Sequence, residues 1–221
     1  MSFSFGMLAS SAGPQLKELT LLNYSYSHYG TSGGPYGDVY PEGFAGDIFV
    51  MATVGVQSSR TPILNGANVV ETNYLSGDTG AGIQIGYRIL TGTEGGNWYS
   101  TAGISYNYSW LLRPSSPASS VEVVRSFANF PPNGTNPLPD VPFSSAADNP
   151  LSFSVAGCHA YNQGSNLDML AFSPSLPAEI IRANSTHGAG AWGNAGADLT
   201  ISQTALSSFS NSGFQMTILA S

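Results

Sequence analysis

The chain has 221 residues, of which 42% are hydrophobic and only 9% are charged, with eleven Tyr, eleven Phe and three Trp. This amount of apolar and aromatic material excludes a disordered chain, because it fills a core without disulfides or metals. The length, together with a charge deficit made up by Gly, Ser, Asn, Thr and Pro, favours one large all-β domain with polar but neutral outer faces.

The charge pattern bears on partners. The formal net charge is −7, and the six basic residues are dispersed, with no two adjacent. Clustered cations are needed to follow a phosphate backbone or an anionic membrane, so we expect neither nucleic acid nor a membrane as a partner. No run of eighteen apolar residues predicts a membrane-spanning helix. Residues 1–14 lack the basic and apolar regions of a signal peptide, which predicts synthesis in a cytoplasm without a cleaved signal.

The first predicted elements precede a glycine-rich loop. Residues 2–8 show a weak alternation of apolar and polar residues, which is compatible with a first strand. The Tyr-Ser-Tyr-Ser alternation predicts a strand over 20–27. A short helix is compatible only with places such as 16–22. Residues 30–43 contain seven Gly and Pro residues, which predict a loop.

Aromatic residues near turns and loops form the candidate contact surface. Exposed aromatics beside a glycine-rich loop indicate an interaction surface, although packing of the loop on its own domain explains them equally well. The candidate set is His28, Tyr29, Tyr36, Tyr40, Trp98, Tyr99 and Trp192.

Two similar apolar runs organise the remainder of the chain. The first run covers 47–57 and begins at a Gly-Asp turn. Its continuous apolar character is typical of a strand buried on both faces. The second follows Asp148 and covers 151–159. The similarity of the two runs predicts two similar halves, about 45–114 and 145–221, within a single domain spanning 1–221. A Pro-rich crossover at 131–142 should connect them in an extended conformation.

The order of the other predicted strands also recurs. One further strand is predicted over 121–130, between the halves. Those of the first half lie at 67–72, 83–90 and 104–113, and we match them to 179–183, 198–205 and 213–220. The sequence therefore predicts an antiparallel, jelly-roll-like β-sandwich of about ten strands with a two-fold pseudo-repeat.

The sequence does not display a nucleotide, thiol or zinc site. The G-x-G-x-x-G spacing within 187–193 leads into a predicted strand rather than a helix, which argues against a dinucleotide site. Cys158 and His159 are neighbours on a strand and point to opposite faces. Together with His159, His28 and His187 lack the spacing of zinc ligands. We therefore predict no metal and no cofactor.

Carboxylates likewise fail to form a catalytic pattern. Asp47 and Asp148 begin matching strands, which favours a role in turns, where Asp side chains bond nearby backbone amides. A glycosidase needs two facing carboxylates, and no spacing selects such a pair. The sequence therefore predicts no catalytic residues and favours a structural or binding protein over an enzyme.

Three segments resemble a group of tailed-phage virion proteins. They are Ala-Gly-Asp-Ile-Phe-Val at 45–50, Gly-Tyr-Arg-Ile-Leu-Thr-Gly-Thr-Glu at 86–94, and Ser-Ala-Ala-Asp-Asn-Pro-Leu at 145–151. Members of that group carry a Gly-Asp-Leu-Leu/Ile-Val strand, a later strand ending near a Gly-x-Glu turn, and a Pro-rich link. The Gly-Trp usual after the first strand is missing here, and the nearest aromatic residue is Tyr74. The resemblance implies a virion component with a jelly-roll-like fold.

Three functional hypotheses follow. In the first, the chain is a capsid decoration or cement protein of a virion, a homo-oligomer that contacts the major capsid protein or other virion proteins. In the second, it is a tail or fibre component that stacks exposed aromatics on a host glycan, namely Tyr36, Trp98, Tyr99 and Trp192. The third, a polysaccharide depolymerase, requires two carboxylates facing each other across a groove.

Overall fold

A computed structural model describes residues 14–29, 37–55, 63–74, 82–100, 105–130, 149–161, 171–173, 178–183, 186–193, 200–202 and 211–221. These residues form fourteen strands and no helix, and all the pairings between their strands are antiparallel. The prediction of an all-β, antiparallel fold is therefore confirmed. The predicted strand over 2–8 and the Pro-rich crossover at 131–142 lie outside the described residues.

The first seven strands are β1 Leu19–Tyr29, β2 Ile48–Gly55, β3 Ile63–Leu64, β4 Asn68–Tyr74, β5 Gly82–Ile89, β6 Tyr99–Ser100 and β7 Ser105–Pro114. The second seven are β8 Val121–Phe130, β9 Phe153–Tyr161, β10 Ala171–Ser173, β11 Ala178–Ala183, β12 Thr186–Gly193, β13 Thr200–Ser202 and β14 Asn211–Ala220. The strand predicted over 121–130 matches β8 in both bounds. The segment considered for a short helix enters β1 at Leu19, so that alternative is wrong.

The sheets repeat one topology. The first sheet has the order β1-β7-β2-β5-β4, and the second, read from the corresponding edge, has the order β8-β14-β9-β12-β11. The two-stranded ribbons β3-β6 and β10-β13 correspond in the same way. A seven-strand unit is therefore present twice. Each unit forms one large sheet and one two-stranded ribbon.

Residue pairing repeats with the topology. In the first sheet Val50 lies between Tyr87 of β5 and Trp110 of β7. In the second sheet Val155 lies between Trp192 of β12 and Met216 of β14. The corresponding positions thus carry apolar side chains in both copies, which is how one packing arrangement is preserved despite different sequences.

One match between the halves is corrected by this pairing. The counterpart of β5 is β12, not residues 198–205, of which only the short β13 is described as strand. β12 reads Thr-His-Gly-Ala-Gly-Ala-Trp-Gly, and Gly and Ala have low strand propensity. Its place between β9 and β11 imposes the strand conformation that its composition does not indicate. The G-x-G-x-x-G spacing therefore lies within a sheet.

The two large sheets pack face to face through an aromatic core. From the first sheet, Tyr106, Tyr108 and Trp110 of β7 are fully buried. They share one apolar cluster with Val155 and Ile218 of the second sheet. The ring centroids of Tyr24 and Trp192, one from each sheet, lie 4.5 Å apart. The sandwich is therefore built by large rings that reach across the interface.

The first sheet is also covered on its outer face. Ile48 and Val50 of β2 face the second sheet, whereas Phe49 and Met51 belong to a separate cluster on the opposite side. All four side chains are buried, as their continuous apolar run predicts. The β3-β6 ribbon contributes Leu64 and other residues to the outer cluster. The first sheet is thus the middle layer of the molecule.

Backbone hydrogen bonds connect three segments that are far apart in the sequence. The amide of Lys17 donates to the Ala220 carbonyl over 2.9 Å. The amides of Ser119 and Ser120 donate to the carbonyl of Ser221 over 2.8 and 3.0 Å. These bonds connect the start of β1, the link between the sheets and the end of β14.

Trp110→Ala tests the aromatic core. Because Trp110 is fully buried between the sheets, its loss should lower the free energy of unfolding by about 3–5 kcal/mol, measured by urea denaturation. Val69→Ala, at a side chain that is 46% exposed, is the control and should change it by less than about 0.5 kcal/mol. A loss below about 1 kcal/mol for Trp110→Ala would contradict this packing.

Candidate contact surface

Residues 37–47, which we call the outer segment, lie over the outer face of the first sheet. Backbone bonds fix the segment at both ends. The Trp98 amide donates to the Asp38 carbonyl over 2.8 Å, and the Tyr40 amide donates to Gly96 over 3.2 Å. At the other end, the Leu90 amide donates to the Asp47 carbonyl over 2.8 Å. The outer segment is therefore held in place although it contains no regular strand.

Asp47 stabilises the turn that leads from the outer segment into β2. Its carboxylate accepts a bond from the Phe44 amide over 2.9 Å and two from Arg113, Nε at 3.0 Å and Nη2 at 2.8 Å. The Asp47 side chain is nearly fully buried, and the Arg113 guanidinium also lies over the Phe44 ring, 4.8 Å from its centroid. The turn role predicted for Asp47 is thus observed, with an added two-bond ion pair.

Electrostatics follow from these contacts. The Arg113 hydrogen bonds hold the pKa of Asp47 below its ordinary value against the opposing effect of burial, with help from the Phe44 amide. The same bonds raise the pKa of Arg113. The ionised form of Asp47 is therefore favoured although its side chain is nearly fully buried.

The backbone conformation at Gly46 explains why a Gly precedes Asp47 in this turn. Its φ is +90°, a conformation that side chains with a Cβ rarely adopt. A Cβ at this position would lie 2.5 Å from Cβ of Pro117. The Gly-Asp pair is therefore required by backbone conformation and by close approach of the link between the sheets.

A polar network lies beneath the other end of the outer segment. Asp38 accepts hydrogen bonds from Ser27 and, over 3.2 Å, from the Tyr99 hydroxyl. Asn107 accepts a 2.6 Å bond from the Thr53 hydroxyl, and its amide reaches Ser27 Oγ over 3.5 Å. Three of the five residues, Thr53, Tyr99 and Asn107, are fully buried. The network connects β1, β2 and β7 to the outer segment and satisfies polar groups in a covered face.

Two grooves flank the outer segment. One, of about 310 Å³, has Asn23, Ser25 and Asp38 among its polar lining residues. The other, of about 540 Å³, is lined by Glu42 and Glu94 as well as Phe44. Tyr40 and Pro41 of the outer segment line both grooves.

Glu94 closes its own turn. Its carboxylate accepts bonds from the Thr91 amide and hydroxyl over 2.6 and 2.8 Å, and from the Gly92 amide over 3.0 Å. Burial acts to raise the pKa of Glu94, but these hydrogen bonds dominate and lower it. A glycosidase acid needs a raised pKa, so Glu94 does not have the character of that acid.

Three aromatics of the predicted contact surface are buried, so their predicted exposure is wrong. Trp98 is 3% exposed, Tyr99 is fully buried and Tyr40 is 9% exposed. The rings of Tyr40 and Trp98 lie 5.5 and 5.7 Å from the Phe49 ring on the outer face of β2. The physical reason is that the outer face of the first sheet is itself apolar, and these aromatics cover it.

The other members of the predicted set lie elsewhere. Trp192 is half-buried between the sheets beside Tyr24. His28 and Tyr29 end β1, but their side chains are outside the description, and Tyr36 lies outside the described residues altogether. Among the described side chains of the set, Trp192 therefore packs on the inner face of the first sheet, and Tyr40, Trp98 and Tyr99 pack on its outer face.

The exposed apolar residues of the outer segment were missed from sequence. Val39 is 71% exposed and Phe44 is 69% exposed. Neither belongs to a periodic pattern, and only Phe44 had a local signal, its place just before the Gly-Asp turn. We call the exposed stretch from Val39 to Phe44 the outer ridge.

No cluster of three His, Cys, Asp or Glu residues suited to a metal occurs in the described parts of the chain. Within the same parts, no helix is long and apolar enough to cross a membrane.

Comparisons with known proteins add little. No family model matches the sequence, and no curated protein matches it. A solved structure described as "Crystal Structure of the STIV MCP" aligns with 94% of this chain and 97% of its own, at 8% identity and a TM-score of 0.26. So low a TM-score does not show a common fold.

Asp47→Asn tests the ion pair. At pH 7 the variant should lose about 1–3 kcal/mol of unfolding free energy, because the Arg113 fork and a buried turn lose their charged partner. Since folding lowers the pKa of Asp47, the difference from the wild type should be complete above about pH 5 and should shrink as the pH falls through the folded-state pKa.

The measurement is urea denaturation at a series of pH values between about 2 and 7. Glu122→Gln, at an exposed position of β8, serves as control and should change stability by less than about 0.5 kcal/mol. A difference for Asp47→Asn that is absent at pH 7, or that grows on acidification, would contradict the assignment.

Proposed function

We propose that this chain is a non-enzymatic structural protein of a virion, and more narrowly a capsid decoration or cement protein. In this role it contacts the capsid shell through the outer ridge and also contacts sister subunits. The virion is accordingly its proposed location.

The sequence resemblance supports the proposal, because two of the similar segments form turns and strand ends beside the outer segment. Residues 45–50 form the Gly-Asp turn and the start of β2, and residues 86–94 form the end of β5 and the turn closed by Glu94. These are the elements that position the outer segment over the first sheet. The resemblance therefore concerns the part of the molecule that carries the outer ridge.

The observation that carries the proposal is a fixed segment with exposed apolar side chains. Val39 and Phe44 are each more than two-thirds exposed, yet the backbone beside them is hydrogen-bonded to the sheet and its turns. A pre-positioned apolar group loses little conformational entropy when a partner covers it. Val39 lines one groove and Phe44 lines the other, and a partner's side chains can fit into such grooves.

The alternative functions have less support. Glycan stacking would need ring faces open to solvent, and Trp98 and Tyr99 are buried. The depolymerase hypothesis would need two facing carboxylates, one of them an acid with a raised pKa, and the lowered pKa of Glu94 does not suit it to the acid's role. We therefore do not carry either forward.

The double variant Val39→Ser with Phe44→Ser tests the proposal. Capsids of the parent virus, stripped of this protein, are incubated with the purified chain, and the bound fraction is measured by co-sedimentation. The wild type should bind, and the double variant should bind at least about tenfold more weakly, since it loses two apolar anchors.

Val69→Ser is the matched control, because Val69 is an exposed apolar residue on β4 rather than on the outer ridge. It should bind as the wild type does, and all three proteins should share one melting temperature within about 3 °C. A wild type that does not sediment with capsids would contradict the proposal. Equal binding by the wild type and the double variant would show that the outer ridge is not the surface that contacts the capsid.

A further inference from the structure

β1 differs from the other edge strands of the molecule. Among the strands that the structure describes, β1 is an eleven-residue outer strand of the first sheet, Leu19–Tyr29, and it pairs with β7 on one side. It contains no Asp, Glu, Lys, Arg, Gly or Pro. Proteins normally protect edges of this length with charges, prolines or bulges, because unpaired backbone groups are a template for another strand. The bulge of β1, between Leu21 and Asn23, lies before residues 23–29, and that stretch has no such protection.

The three other outer strands of the large sheets carry such charges. β4 contains Glu71, β8 contains Glu122 and Arg125, and β11 contains Glu179 and Arg182. If β4 met its own copy in antiparallel fashion, Glu71 would approach Glu71 of that copy. Charged side chains on an edge strand are a usual protection against the addition of a further strand. The neutral edge of β1 lacks that protection.

β1 is also held ready for pairing. The Ser115 amide donates to the Glu18 carbonyl over 2.8 Å, and the Lys17 amide donates to Ala220, so the start of the strand is fixed. Further along, Tyr24 packs on Trp192 and Tyr26 packs on Tyr108, with ring centroids 4.5 and 5.3 Å apart. A strand fixed in this way loses little entropy when a second strand is added.

We propose that β1 pairs with β1 of a second copy of this chain, antiparallel and about a two-fold axis. The first sheets of the two molecules then form one continuous sheet of ten strands. The inference rests on the proposed function and deepens it, because it names the surface through which sister subunits meet.

The pairing extends over residues 23–29. A bulge between Leu21 and Asn23 interrupts the register of β1 with β7. At the bulge Leu22 is 42% exposed, and the added strand would cover part of it. With the axis at the middle of this range, Ser25 lies opposite Ser27 of the partner subunit and diagonal to its symmetry-related copy. Long side chains at position 25 reach each other across that diagonal.

The test is sedimentation velocity of the purified chain, without capsids, over a range of concentrations. The wild type should dimerise. Ser25→Lys and Ser25→Glu should each weaken the dimer about fivefold or more, because like charges approach across the new strand pair. An equimolar mixture of the two variants should recover the wild-type dissociation constant within about twofold, since opposite charges then face each other.

Asn68→Lys, an exposed position on the charged edge strand β4, is the matched control and should dimerise as the wild type does. Melting temperatures of all variants show whether folding is intact. A wild type that remains monomeric up to about 1 mM would overturn the proposal. So would folded Ser25 variants that dimerise normally, or a mixture of them that does not recover.

The two proposals fail separately. A protein that dimerises through β1 but does not bind capsids keeps this surface and loses its role in the virion. A protein that binds capsids as a monomer keeps the role and loses the β1 pairing.

Discussion

The constraint on which the structure depends is that the first sheet has apolar side chains on both faces. In β2, Val50 points into the interface between the sheets, and Phe49 points the opposite way, with both side chains buried. A sheet with two apolar faces is stable only as a middle layer. The second sheet covers one face, and the outer segment with the β3-β6 ribbon covers the other.

This constraint explains how the outer segment closes a core and still offers a contact surface. Tyr40 and Trp98 pack on Phe49 and cover it. The ion pair of Asp47 with Arg113 and the hydrogen-bond network of Asp38 fix the backbone around them. The side chains not needed for that cover, Val39 and Phe44, remain in solvent. Stability and binding are therefore assigned to different residues of one segment, and substitutions can separate them.

The sequence was informative wherever burial imposed a simple pattern. The uninterrupted apolar run of β2 indicated a strand buried on both faces, and the alternation over β7 placed Tyr106, Tyr108 and Trp110 on one face. The Gly-Asp turn was recognisable because the αL conformation and the Asp carboxylate have local causes.

Other features depend on tertiary context and carry no such pattern. β12 is a strand because of its neighbours, since its Gly and Ala residues favour no strand by themselves. The burial of Trp98 and Tyr99 follows from the apolar outer face of a strand some fifty residues earlier. An aromatic residue near glycines reads the same in sequence whether it covers a core or faces a partner, so the predicted contact surface could not be distinguished from loop packing.

The most direct test of the account is whether the two halves meet through their inner aromatic faces. In an aromatic NOE experiment on the folded chain, the rings of Tyr24 and Trp192, whose centroids are 4.5 Å apart, should give strong cross-peaks. Tyr24 and Trp110, 5.6 Å apart within the first sheet, provide the internal reference. Cross-peaks for both pairs are the predicted result. Assigned rings with a Tyr24–Trp110 cross-peak but none between Tyr24 and Trp192 would contradict it.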